Sequence, residues 1–221
     1  MRQLIAYLKS IGTPGLYRRG SSLLQKGEVP RDVLVILSGV VKAYVINQSG
    51  DQSIVNLCGK GVIIPVAWAH DHTEGSLFHY EAVNDVRVIA IRKSDFRAAI
   101  EHHPELWSEY LNYMIRAQAS LLLRIAGLTQ PRAITKICYT LSFLMFRYGI
   151  EKRPGIFEID LKVTQVMLAN LIGQTRESTA KNLKHLKESG VIAYKNSTYW
   201  INKAELERFI GEDETVDLSV A

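Results

Sequence analysis

Cysteine is scarce in this chain: two residues in 221, Cys58 and Cys138. They stand far apart and match no metal-ligand spacing, which removes a zinc site or a disulfide framework as an organising feature. They read as buried free thiols, acting as small apolar groups. Long hydrophobic runs are missing too. No stretch reaches the roughly 18 consecutive apolar residues of a bilayer-crossing helix, although 47% of the residues are hydrophobic, enough for a packed core. Residues 1–10 lack the cationic-then-apolar order of a secretory signal. Phosphate loops, metal-binding motifs and nucleophile–base arrangements are absent, so nothing argues for an enzyme. The expectation is a cytoplasmic protein with no membrane segment, no resident metal and no cofactor.

What is present is an uneven distribution of charge. The net charge of +5 hides a basic stretch at 129–203, with twelve Lys/Arg against five Asp/Glu, and an acidic end at 204–221, with six acids against one base. A basic segment followed by an acidic tail fits a module that binds a polyanion.

Three regions follow one another, and the expected class is α+β. Residues 1–103 carry short apolar runs at 33–37, 40–46, 53–57 and 86–91, punctuated by glycines at 20, 27, 39, 50, 59 and 61. Asn47-Gln48-Ser49-Gly50-Asp51 reads as a hairpin turn. The pattern predicts a small antiparallel β-roll of cupin-like type. Within residues 104–129, Pro104 suits a first helical turn. Trp107, Leu111, Met114, Gln118, Leu121, Ile125 and Leu128 then repeat at spacings of four and three, a heptad seam. The seam can be buried against the chain's own core or against a second copy. In the second case Gln118 is the polar residue that fixes register. Residues 130–221 begin at a Thr129-Gln130-Pro131 break, continue as a helix at 132–148 and a turn at 149–155, and lead to a strand at Phe157-Glu158-Ile159-Asp160-Leu161.

The segment that decides the function runs from Thr164 to Leu186. Thr164 can cap a helix whose Leu168, Leu171 and Ile172 face inward. Gly173 can end that helix in a left-handed conformation, and Thr175 can cap the next one. Two helices joined by so short a turn make a helix-turn-helix. On the second helix Thr179, Leu183 and Leu186 share one face at about 100° per residue. Glu177, Lys181 and Lys184 lie opposite, with Arg176 in the first turn. Arg and Lys donate to guanine and Glu accepts from cytosine, although any amphipathic helix has a charged outer face. Downstream, two short strands around Asn196-Ser197 form either a wing that touches phosphates through Lys195, Asn196 and Ser197 or a plain surface hairpin.

A glycine-punctuated roll, a long pairing helix and a winged helix-turn-helix, in that order, resemble the CRP/FNR family of bacterial transcription regulators over nearly the whole chain. The match is most specific at Leu171-Ile172-Gly173-Gln174-Thr175-Arg176-Glu177-Ser178-Thr179. That stretch is similar to the family pattern of an apolar residue, Ile-Gly, any residue, Ser or Thr, Arg-Glu, then Ser or Thr. The family pattern continues to an Arg four residues after the Glu. Here Lys181 stands there and keeps the charge without the bidentate fork. Arg176 and Glu177 match the cyclic-AMP receptor branch, for which a TGTGA-like half-site is implied. The resemblance further implies a homodimer on a pseudo-palindrome in double-stranded DNA, and RNA polymerase as a partner. The expected DNA-contacting set is Thr164, Gln174, Thr175, Arg176, Glu177, Ser178, Lys181, Lys184, Asn196 and Ser197.

The effector region departs from the family. Cyclic-nucleotide members carry Gly-Glu-Leu and then Arg-Ser or Arg-Thr; here Pro65-Val66-Ala67 and Ser76-Leu77 stand at those places. A buried phosphate would lack a basic partner, so the effector is expected to be absent or not cyclic AMP. The N-terminal cysteine cluster of the iron–sulfur branch is absent. Trp68, Phe78 and Tyr80 can line an apolar effector pocket or pack the roll. His70, His72 and His79 can ligate a metal or haem or remain surface groups. A ligand-binding module acting through protein contacts is the alternative function.

Overall fold

The computed structural model describes residues 1–48 and 50–211. The chain divides into two compact units, Met1–Ile115 and Arg116–Ala221. Most of the expected acidic tail, from residue 212, lies outside the described residues, as does Ser49 in the 47–51 turn.

The first unit opens with α1 (Arg2–Ile11), a helix whose Leu4 and Leu8, one turn apart, are fully buried. Each such leucine contributes about 1.5–3 kcal/mol. Then follow β1 (Thr13–Tyr17), β2 (Ser22–Leu24), β3 (Asp32–Ser38), β4 (Val41–Ile46), β5 (Gln52–Cys58), β6 (Ile63–Ile64), α2 (Val66–Ala69), β7 (His79–Ala82), β8 (Val86–Arg92) and α3 (Lys93–His102). The strands form two antiparallel sheets, in the orders β1-β8-β3-β6 and β2-β7-β4-β5. The hairpin expected at 47–51 is present: Ile46 pairs with Gln52, and the Asn47 side chain accepts from the Asp51 N–H at 2.8 Å.

One feature of the apolar patterning differs from simple alternation. In β3 the four residues Val33, Leu34, Val35 and Ile36 are all buried. Both faces of this strand are covered. Val33 and Val35 pack with Leu4, Leu8 and Phe96 from the helices, while Leu34 and Ile36 pack with Val41, Ala43 and Val88 inside the roll. A strand buried on both faces reads as a continuous apolar run. On β4 the alternation is clean: Val41 and Ala43 are buried, and Lys42 points away to pair with Glu81 across the sheet at 3.0 Å.

Next comes α4 (Pro104–Leu128), whose residues to Ile115 belong to the first unit and from Arg116 to the second. The second unit continues with α5 (Ala133–Tyr148), β9 (Gly149–Arg153), β10 (Ile156–Ile159), α6 (Gln165–Ile172), α7 (Arg176–Glu188), β11 (Ile192–Lys195), β12 (Thr198–Asn202) and α8 (Lys203–Ile210). Its sheet has the order β11-β12-β10-β9. The turn expected over 149–155 is corrected: β9 occupies most of it, and the reversal is confined to Pro154-Gly155. Glu151, Lys152 and the flanking Gly149, Pro154 and Gly155 disfavour a strand and hide the one strong strand former, Ile150; pairing of Ile150 and Glu151 with β10 holds the segment extended. The helices α6, α7 and α8 pack on α5. Ile137, Cys138, Leu141 and Leu144 of α5 are fully buried. Both cysteines are buried thiols outside any disulfide, as expected, and burial pushes the Cys138 thiol up to about 12. No helix among the described residues is long and apolar enough to cross a membrane.

Candidate nucleic-acid interface

The local chemistry of the helix-turn-helix is fully visible. The Thr164 hydroxyl accepts from the Met167 N–H at 3.0 Å and caps α6. Gly173 ends that helix at φ 64°, ψ 41°, in the left-handed region that glycine enters at little cost. Thr175 then caps α7 by accepting from the Ser178 N–H at 3.2 Å. Each cap satisfies an N–H that the helix itself leaves without an acceptor.

Helix α7 separates its residues by face. Thr179, Leu183 and Leu186 are buried, and the Thr179 hydroxyl donates back to the Thr175 carbonyl at 2.9 Å. Arg176, Glu177, Lys181 and Lys184 are exposed. Among the described residues, Arg176, Glu177 and Lys181 have no hydrogen bond or ion pair from their side chains, whereas Lys184 lies 3.8 Å from Glu188. Three unpaired side chains, one of them an acid, therefore project from the first half of a capped helix. Gln174 and Ser178 are half-buried beside them, and Thr164 is exposed at the start of α6.

The hairpin between β11 and β12 turns on Asn196 and Ser197, both at positive φ (52° and 62°). That is the two-residue turn whose twist matches its strands. The Ser197 carbonyl accepts from the Val163 N–H at 2.9 Å, and Lys162 donates to the Thr198 hydroxyl at 2.6 Å. The hairpin tip is thus tied to the residues that lead into α6. Lys162 does not stand out in the sequence. Its place two residues before the Thr164 cap, within the basic stretch, is the signal that could have found it.

The seam on α4 is solvent-facing in the single chain. Trp107 is 48% exposed, Leu111 45%, Leu121 45% and Ile125 55%. Gln118 is also exposed, while Met114 and Leu128 are half-buried. Ile115 and Leu122, at 55% and 59%, widen the stripe beyond the heptad positions. Each follows a seam residue by one position, which a strict two-per-heptad count passes over.

Elsewhere in the first unit the residues considered for an effector are dispersed. Trp68 packs with Phe96 and Tyr110, whereas Tyr80 and Phe78 pack with the roll interior. Trp68 borders an open depression of about 300 Å³ with Asp71, His72, Thr73, Glu74 and Lys93, rather than a chamber shared with Phe78 and Tyr80. The His70 ring shares a 2.6 Å hydrogen bond with the Tyr110 hydroxyl, and burial lowers its pKa, with Arg97 and His72 adding to the effect. His79 stacks on Tyr44 and accepts from the Lys26 N–H; His72 is exposed. Among the described residues no group of three potential ligands converges on a metal position.

Comparison with known proteins finds two matching family models, a cyclic nucleotide-binding domain over residues 15–103 and a Crp-like helix-turn-helix domain over 135–209. The nitrogen fixation regulation protein FixK of Azorhizobium caulinodans is 28% identical over 192 residues, covering 85% of this chain and 74% of that protein. The cyclic AMP receptor protein of Thermus thermophilus is 24% identical over 191 residues, covering 86% of this chain and 84% of that protein. A solved CRP-family transcriptional regulator, also from Thermus thermophilus, superimposes with a TM-score of 0.77 at 20% identity, covering 94% of this chain and all of that one.

Proposed function

We propose that this chain, which belongs to the CRP/FNR family of transcriptional regulators, binds a palindromic DNA site as a homodimer and reads a TGTGA-like half-site with each copy of α7. It is a regulator, not an enzyme. The observation that carries the reading is the exposed, unpaired trio Arg176, Glu177 and Lys181 on a helix whose other face is anchored by Thr179, Leu183 and Leu186. These residue types match the hydrogen-bonding edges of guanine and cytosine in the major groove. Thr164, Gln174, Thr175, Ser178 and Lys184, with Asn196 and Ser197 on the wing, are the proposed contacts to phosphates and flanking bases.

The functional division we adopt is a sensor-like roll at 1–103, a pairing helix at 104–129 and a DNA-reading part at 130–221. Pairing is supported by the apolar stripe on α4: the proposed occupant is the same stripe of a second copy. The working compartment is the cytoplasm, and RNA polymerase is the protein partner. For the roll we propose no cyclic-nucleotide ligand. Between Lys60 and Arg87 there is no Lys or Arg to receive a cyclic phosphate, and an anion left without a partner in such a site is poorly compensated.

Titration of a duplex carrying two inverted TGTGA half-sites, against a scrambled duplex at fixed salt, tests the reading. Saturation at two chains per duplex, with a preference of about 10³-fold or more, is the expected result. Equal affinity for both duplexes would contradict it. Calorimetry with cyclic AMP should give no saturable heat; tight binding would overturn the reading of Pro65-Val66-Ala67 and Ser76-Leu77.

A further inference from the structure

Arg124 is the most deeply buried cation on α4. It is 8% exposed, and its Nη2 donates to the carbonyl oxygen of Leu171 at 2.9 Å. Its guanidinium carbon lies 5.9 Å from the centre of the Phe143 ring on α5. Burial lowers its pKa to about 10, which still leaves it cationic at neutral pH. Burying a charge is costly, and an apolar side chain would fill the same space more cheaply, so the bond it makes merits a role.

Leu171 is the penultimate residue of α6, where carbonyls have no donor within the helix. The negative end of the helix dipole also lies here, and a cation is favoured. Nearby, the Ala169 carbonyl already accepts from the N–H groups of Gly173 and Gln174. Two residues after Leu171 comes Gly173, and two more bring Thr175, the cap of α7. Arg124 therefore grips the end of α6 from which the reading helix departs. On an adjacent face of the same turn of α4 stand Leu121 and Ile125, half-exposed members of the seam.

We infer that Arg124 is a positioning residue for DNA reading: it locks the α6–α7 turn to α4, so that pairing along the seam fixes the separation of the two reading helices. The inference rests on the homodimeric reading above. α4 has a second anchor within this unit at Gly127, where an added Cβ would sit 2.8 Å from the Cβ of Tyr139. Loss of the Arg124 bond should therefore loosen the turn without detaching the helix.

The test uses the full chain with Arg124→Met, which keeps the apolar stem, and Arg124→Lys, which keeps the charge and one donor. Amide exchange at Gly173 and Gln174 should rise about tenfold or more in the Met variant, while the Leu183 and Leu186 amides keep their protection. On duplexes whose half-sites are moved one base pair closer or farther, wild type should discriminate about tenfold or more and the Met variant less than about twofold, with affinity for a single half-site unchanged. The Lys variant should fall between them, about threefold below wild type. If the Met variant does not fold, the Lys variant decides alone, and undiminished discrimination by it overturns the inference. Wild type indifferent to spacing would overturn the paired reading itself. A selective wild type with an equally selective Met variant and unchanged exchange would overturn only the latch.

Discussion

Arg176→Ala should weaken binding to the selected site by about 1–3 kcal/mol, roughly 5- to 150-fold, and relax the preference at one base pair of each half-site. The effect is this large because Arg176 stands free. Among the described residues it has no carboxylate to leave and no packing role, so its fork is available to a base edge. Lys181→Ala should cost a similar amount at a different base pair. Lys184→Ala should behave otherwise. Its ammonium lies 3.8 Å from Glu188, farther along the helix, and its loss should weaken all sequences alike and lower the salt slope by about one. Anisotropy titrations over a series of single-base variants separate the two behaviours. Arg176→Ala and Lys181→Ala both retaining wild-type affinity and sequence preference would favour a protein-contacting role for α7.

Leu121→Glu should dissociate the dimer. The leucine is 45% exposed in the single chain, so pairing removes about half of its surface from water, worth about 1 kcal/mol per copy. The substitution acts twice in a dimer and adds two carboxylates facing each other across the seam, each resisting desolvation. A total of about 3–6 kcal/mol raises the dimer dissociation constant by roughly 10²- to 10⁴-fold. Leu122→Glu, at the margin of the widened stripe, should weaken pairing in the same direction but less. Sedimentation equilibrium reads both. A Leu121→Glu chain that remains as dimeric as wild type would show that the stripe has another partner.

How much of this is legible in the sequence depends on whether the deciding contact is local. The caps at Thr164 and Thr175 and the Gly173 turn are visible because each is made within three or four residues of its own position. The inward face of α7 follows from the helical period alone. By contrast, α1 does not announce itself, although Leu4 and Leu8 are among the most buried residues of the chain. Two leucines one turn apart are a weak signal, and their burial comes from strands and helices 25 to more than 100 residues away. β9 reads as a turn for the same reason: its strand conformation is supplied by β10. Arg124 reads in the sequence as one more cation on a long helix. Only the fold brings it to the Leu171 carbonyl, 47 residues on. The wider stripe through Ile115 and Leu122 shows the reverse case, in which the period is correct and the face it outlines is too narrow.

Selection of bound duplexes from a random library by the purified full chain tests the central claim most directly. The account predicts an inverted repeat, TGTGA-like in each arm, with arm centres about one helical turn apart. Enrichment of a single unrepeated motif, or of no motif at all, would contradict it.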